Sequence, residues 1–183
     1  LCPHFHLSLQ SGCDASLKRM NRKYDSARYY ESVRLLREYF RNPAVTTDLI
    51  VGFPQETEEE FAETLAFIRK CAFSSMHIFP YSRRPGTPAA AMDGQIPRAE
   101  QESRAHRAAA AADEMEQSYL RGLVGTVLPV LFEEEKDGFW RGHTPQYIEV
   151  RVKGEHLHNQ LRPVTITAAG DSLAYGTVKE EQP

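Results

Sequence analysis

The sequence is short of cysteine, of tryptophan and of net charge. Three cysteines, Cys2, Cys13 and Cys71, are scattered over 183 residues. No two of them stand at a CxxC or CxxxCxxC spacing, which argues against a zinc site or iron–sulfur cluster held by these residues alone. An odd, widely spaced set is no disulfide framework either. It fits a reducing compartment, so a cytoplasmic location is expected. The formal net charge is −3, far from the basic balance of a protein that binds nucleic acid with its whole surface. No apolar run is long enough to span a bilayer. The hydrophobic fraction, 41%, still suffices for a packed core and argues against global disorder. The opening "LCPHFHLSLQ" reads as strand with no lead-in. The expectation is therefore the C-terminal part of a longer protein.

What is present begins with strand and helix in alternation. Residues 4–9 read as a buried strand, and "DASLKRMNR" as a short helix capped by Asp14. "DSARYYESVRLLREYF" places Tyr29, Val33, Leu36 and Phe40 at helical spacing behind Asp25 or Ser26 as cap. "VTTDLIVGF" is β-branched and apolar, a strand ending at Gly52 and Pro54. In "TEEEFAETLAFIRKC", Thr57 and Glu60 form a capping box, and Phe61, Leu65 and Ile68 an apolar stripe. "SSMHIFPYS" is a third strand. This order predicts a parallel sheet covered by helices, with ligands at the carboxyl ends of its strands. Three ends matter: "LQSGCD", "VGFPQET" and "FPYSRRPGTPAA". A long alanine-rich helix is predicted from Arg98 to Gly122, its Glu100, Arg104, Arg107 and Glu114 on a solvated face. After Gly125 the texture turns to short strands and turn residues, including "TVLPVLFEEE", "FWRGHTPQYIEVRV", "LRPVTITAAG" and "SLAYGTVKE". That is the signature of a small closed β-barrel. Two domains follow, residues 1–124 and 125–183.

Several residues carry chemistry at these ends. Cys13 is a nucleophile, a cluster ligand or a packing residue, and a lone cysteine favours packing. His4 and His6 share one strand face, as a metal pair or as part of a polar barrel interior. Gln10, Ser11 and Gly12 offer an amide, a hydroxyl and open backbone. Asp48, within a strand, would sit inside the sheet layer and need a partner. Tyr81, Ser82, Arg83 and Arg84 follow the third strand, where an arginine can clamp a carboxylate or phosphate. Lys18, Arg19, Arg22 and Lys23 give the first helix a basic edge that is either solvated or meets a phosphate backbone. In the barrel, Phe139, Trp140 and Tyr147 are base-stacking residues or core. Glu133, Glu134 and Glu135 belong to an acidic excess that argues against strong independent RNA binding by the barrel.

Taken in order, "HFHLSLQSGCDASLKRMNRKY", "TDLIVGFPQETEEEF" and "FPYSRRPGTPAA" resemble the methylthiotransferase family of radical S-adenosylmethionine (SAM) enzymes. "GFWRGHTPQYIEVRV" resembles that family's C-terminal TRAM domain. The resemblance spans nearly the whole chain. The wording "HLSLQSGCD…LKRMNRKY" is closest to the branch acting on N6-threonylcarbamoyladenosine beside the tRNA anticodon. The isopentenyladenosine branch has a "PVQSGS" version, and the ribosomal-protein branch departs further.

The resemblance implies an α/β fold, the C-terminal part of a radical SAM partial (β/α) barrel, followed by an all-β TRAM barrel like an oligonucleotide-binding fold. It implies SAM and two 4Fe–4S clusters as cofactors. One cluster cleaves SAM to a 5′-deoxyadenosyl radical that takes hydrogen from C2 of the adenine. The other takes part in sulfur delivery, and a second SAM supplies the methyl group. The CxxxCxxC motif and the N-terminal cysteines are absent here and are expected upstream of Leu1, so this chain alone should hold no cluster and be inactive. Gln10 and Ser11 would face SAM, with Asp48 and Arg84 next on the pocket wall and Tyr81 and Ser82 as weaker members. The TRAM barrel, with Trp140 and Tyr147, would hold the tRNA anticodon stem–loop, assisted by Lys18, Arg19, Arg22 and Lys23. No membrane partner is expected, and the electron donor and sulfur source are undefined. The alternatives are the other two methylthiotransferase branches, a different half-barrel enzyme with an appended barrel, and a non-catalytic RNA-binding module.

Overall fold

A computed structural model describes residues 1–179. Its elements run β1 (His4–His6), α1 (Asp14–Arg19), α2 (Ser26–Tyr39), β2 (Ala44–Val51), α3 (Glu58–Cys71), β3 (Ser75–Pro80), α4 (Pro88–Ala91), α5 (Arg98–Leu123), β4 (Val127–Lys136), β5 (Phe139–His143), β6 (Glu149–Val152), β7 (Leu161–Ala169) and β8 (Ala174–Val178). The chain divides into two compact units, Phe5–Met115 and Leu1–His4 with the chain from Glu116 onward.

In the first unit the sheet order is β1-β2-β3, and β2 and β3 run parallel from Thr46↔Ser75 to Val51↔Pro80. Strand alternation divides β2. Val45, Thr47, Leu49 and Val51 are buried, whereas Thr46, Asp48 and Ile50 are half-buried on the other face. The buried side meets Tyr29 and Val33 of α2, Phe61 and Ile68 of α3, and Ala108, Ala111 and Met115 of α5 in one core. The first strand is shorter than residues 4–9, because Leu9 N donates to Thr47 Oγ1 (2.9 Å) and not to a ladder carbonyl. Pairing resumes at Gln10, which bridges Leu49 in parallel.

The helix starts follow local chemistry. Asp25 caps α2 by accepting from Arg28 N at 2.7 Å. Thr57 and Glu60 cap α3 reciprocally. Asp14 is not the cap expected of it. Cys13 holds that position, and the Asp14 carboxylate accepts from Ser26 N at 2.7 Å, tying α1 to the start of α2. Glu60 does more than cap, since both of its oxygens take the Arg19 guanidinium. That pairing holds the Glu60 carboxyl below the ordinary glutamate range, against the opposing effect of burial. A depressed carboxyl contributes stability above its unfolded value and loses it as pH falls through the folded one. Glu60→Ala is expected to cost about 1–3 kcal/mol at neutral pH. It should also flatten the acid side of the stability–pH curve, as read by urea unfolding.

The solvated face expected for α5 is corrected at Arg104. This side chain is 2% exposed and pairs at 2.7 Å with Glu56, itself 1% exposed. Glu56 also accepts from Gly52 N (2.7 Å), and Gln101 donates to Gly52 O (3.2 Å). Gly52 has φ +70, and a Cβ there would lie 2.5 Å from Gln101. Only glycine suits both the backbone and that approach. α5 therefore clamps the loop at the end of β2.

In the second unit, β4-β5-β6-β8-β7 form a closed barrel, antiparallel except where β6 meets β8. Its core takes Val130 and Phe132, Trp140, Val150 and Val152, Val164 and Ile166, and Ala174, one set from each strand. Gly142 faces a wall of backbone, and a Cβ there would stand 2.3 Å from Leu131 O. Leu120 and Leu123 at the end of α5 belong to the same core, so this unit starts ahead of the Gly125 boundary suggested by the change of sequence texture. Glu180, last in the stretch "SLAYGTVKE", lies outside the described residues.

Candidate functional site

Two of the three strand ends, "LQSGCD" and "FPYSRRPGTPAA", together with the body of β2, line one cleft of about 490 Å³, whereas no residue of "VGFPQET" does; the size is within the range of small-molecule sites. Gln10 follows β1, Asp48 and Ile50 lie on β2, and Phe79 and Pro80 end β3. Tyr81, Ser82 and Arg84 follow, and Thr87 and Ala89 come from the start of α4. Five of the six residues predicted for a cofactor wall thus line one cavity. Gln10 is held there in a left-handed conformation, φ 69, with its N donating to Asp48 O and its O accepting from Ile50 N, both at 2.9 Å. A non-glycine residue so constrained is a local strain that the flanking ladder sustains.

Ser11, the sixth, is not at the cleft. It is fully buried, its hydroxyl 3.3 Å from Thr64 Oγ1 of α3 and accepting from Cys13 N. The left-handed turn at Gln10 sends the chain toward α3, so Ser11 takes the helix side. Asp48 is corrected in the other direction. It is not inside the layer but on the face away from the core, its side chain 29% exposed and 3.3 Å from His6 Nε2. Cys13 is buried, and burial pushes its thiol up. That is the reverse of what a thiolate nucleophile or ligand requires. Burial likewise pushes the Cys71 thiol up to about 12.

The cleft joins opposite chemistries. Asp48 brings a carboxylate, and Arg84 an exposed guanidinium with no side-chain partner among the described residues. Gln10 adds an amide, Ser82 and Thr87 hydroxyls, and Ile50, Phe79, Pro80 and Ala89 apolar wall. The Tyr81 hydroxyl is buried without a partner, and its ring stands edge-on to Phe53 at 5.2 Å. Arg83 is already used, its Nε donating to Ala90 O at 2.8 Å. Sequence reasoning missed Ile50, Phe79, Thr87 and Ala89. Ile50 was within reach by counting two residues on from Asp48.

The residues proposed for RNA differ in exposure and in partners. Lys18 and Arg22 are exposed and unpartnered among the described residues, and Lys23 donates to Asn21 Oδ1 at 2.8 Å. Arg19 is corrected, because its guanidinium is taken up by Glu60 and Ser16. Trp140 is corrected as well. It is 9% exposed in the barrel core, since the pleat of β5 turns Trp140 and Gly142 inward together. Tyr147 stays available, 69% exposed with φ 63, its ring stacked on His143 at 4.8 Å and 18°.

Residues 2–68 match the Radical SAM superfamily. The chain is 40% identical over 173 residues to the threonylcarbamoyladenosine tRNA methylthiotransferase MtaB of Bacillus subtilis, covering 91% of this chain and 38% of that protein. It is 39% identical over 164 residues to the MtaB of Thermotoga maritima, 88% of this chain and 36% of that one. A tRNA-2-methylthio-N(6)-dimethylallyladenosine synthase of Mycobacterium tuberculosis is 45% identical over 131 residues, 72% of this chain and 24% of the relative. The chain spans well under half the length of these relatives. Among solved structures, the radical SAM enzyme coproporphyrinogen III oxidase (HemN) of Escherichia coli shares the fold. The TM-score is 0.51 at 17% identity, over 78% of this chain and 41% of that one. The methylthiotransferase resemblance of the strand ends is thus part of a similarity that runs along 91% of this chain. Among the described residues no helix is long and apolar enough to cross a membrane.

Proposed function

We propose that this chain works as part of a radical SAM tRNA methylthiotransferase that modifies C2 of N6-threonylcarbamoyladenosine. The observation that carries the reading is the 40% identity to such a methylthiotransferase over 91% of the chain. The cleft fits SAM. An unpaired guanidinium, a carboxylate, an amide and an orphaned buried hydroxyl surround apolar wall. These suit a ligand with a carboxylate, an ammonium, hydroxyls and a flat base. The cysteines do not fit a cluster. Cys2 is exposed, Cys13 and Cys71 are buried, and none is near another in sequence. The clusters proposed for the whole protein therefore need ligands other than these three.

When bound, SAM supplies the one-electron chemistry that activates the adenine C2–H bond, and the methyl group. The chain's own task is to hold and shield. Arg84 would hold the methionyl carboxylate, since a guanidinium suits a carboxylate. Asp48 and Gln10 would accept from the ammonium or ribose hydroxyls. The Tyr81 hydroxyl gains the partner it lacks. Ile50, Phe79 and Ala89 keep water from the base. The five-stranded barrel serves as the TRAM domain and engages the anticodon stem–loop. Tyr147 offers a stacking face, and Lys18, Arg22 and Lys23 meet phosphate. A cytoplasmic location follows from such a substrate.

A second reading keeps the chemistry and changes the nucleoside. The 45% identity to dimethylallyladenosine enzymes is higher, though over only 131 residues. Nucleoside mass spectrometry of tRNA from cells with and without the full-length gene decides between them. Loss of the methylthio group from threonylcarbamoyladenosine alone is the expected result. Loss from isopentenyladenosine would move the substrate. No change in either would point to a ribosomal-protein substrate or to an RNA-binding module.

A further inference from the structure

We infer that His6 is a positioning residue that sets the Asp48 carboxylate for the ligand in the cleft. This rests on the SAM reading of the cleft and assigns a role to a side chain outside its wall. His6 stands on β1 beside Asp48 on β2, both on the sheet face opposite the helix-covered core. Its Nε2 is 3.3 Å from Asp48 Oδ2, and its Nδ1 is 3.1 Å from Thr46 Oγ1. Ser8 Oγ lies 3.5 Å from the same Nε2. The neutral tautomer that satisfies both main contacts carries its proton on Nε2. The Thr46 hydroxyl then donates to Nδ1, and Nε2–H donates to the carboxylate. A ring held at both nitrogens has one orientation, and the carboxylate it touches keeps one oxygen engaged.

The spacing has a sequence basis. Thr46 and Asp48 are two apart on β2, so both point to one face, and His6 faces them from the next strand. The side chains of His6 and Asp48 are 41% and 29% exposed. A pair so exposed adds little to stability. Its consequence is geometric. Asp48 lines the cleft, whereas His6 does not. An acid pinned from behind loses less rotamer freedom when a ligand donor meets its free oxygen. His6 therefore acts through Asp48 without touching the ligand.

The test uses the full-length protein and S-adenosylhomocysteine as probe, with affinity read by calorimetry. His6→Ala is expected to weaken binding about three- to tenfold with unchanged thermal stability. His6→Gln, whose amide N–H reaches where Nε2–H lies, should recover most of the loss. Asp48→Asn should weaken binding too, and adding His6→Ala to Asp48→Asn should cost nothing further. Unchanged affinity in His6→Ala, or losses that add in the double variant, would overturn the inference while leaving the cleft assignment intact. No probe binding by the wild-type protein would overturn the SAM reading and this inference with it.

Discussion

Arg84→Ala in the full-length protein is expected to weaken SAM binding about tenfold to a hundredfold. A hydrogen bond between charged groups is worth about 1.5–3 kcal/mol, and each 1.4 kcal/mol is a factor of ten. The expectation is this large because Arg84 has no other side-chain employment among the described residues. Its neighbour Arg83 differs, since it donates to Ala90 O and holds the loop. Arg84→Ala should therefore leave the thermal midpoint unmoved while affinity drops, whereas Arg83→Ala should disturb the loop itself. Arg84→Lys keeps the charge but loses the planar fork and should recover only part of the binding. The readout is calorimetry with S-adenosylhomocysteine. An unchanged affinity in Arg84→Ala would remove this residue from the cofactor wall and leave Asp48, Gln10 and Tyr81 to account for the site.

The contrast between two neighbouring arginines shows what the sequence could reveal. Local rules were legible. The capping box at Thr57 and Glu60, the Asp25 cap and the alternation along β2 each depend on residues within a few positions. Strand, helix, strand spacing pointed to the strand ends, and five of the side chains named there or on β2 do line one cleft, although the "VGFPQET" end does not. What failed depended on distant partners. Arg19 looked like a free cation because Glu60 is 41 residues away. Arg104 looked solvated because Glu56 is 48 residues away. Ser11 and Gln10 are adjacent, and only the left-handed turn at Gln10 and the packing of Thr64 decide which of them meets the cleft. Trp140 and Tyr147 both read as stacking aromatics. The pleat of β5 buries the first, and a loop with positive φ presents the second.

Arg104→Ala is expected to lower the unfolding free energy by about 3–5 kcal/mol, the cost of leaving one member of a buried ion pair without its partner. Arg104 donates to both Glu56 Oε2 (2.7 Å) and Glu56 O (2.9 Å), and pairs with Glu100 one turn away. Burial raises the Glu56 carboxyl above the ordinary glutamate value, against the opposing pull of Arg104 and the Gly52 amide. A raised carboxyl contributes stability below its unfolded value, and that contribution is lost as pH rises through the folded one. Removing Arg104 pushes Glu56 higher still. The destabilisation should therefore be largest at neutral pH and shrink toward about pH 4–5, where glutamates take up protons. Urea unfolding at the two pH values, followed by far-UV circular dichroism, measures this. A loss under about 1 kcal/mol at neutral pH would show the pair behaving like an exposed one. A loss of the expected size should reach the cleft as well. Glu56 fixes Gly52, the adjacent Phe53 supports the Tyr81 ring, and Tyr81 N donates to Val51 O at 2.8 Å. Loosening the clamp on the β2 end thus loosens the wall that carries the unpartnered hydroxyl. Arg104→Ala should weaken probe binding without any contact between Arg104 and the ligand.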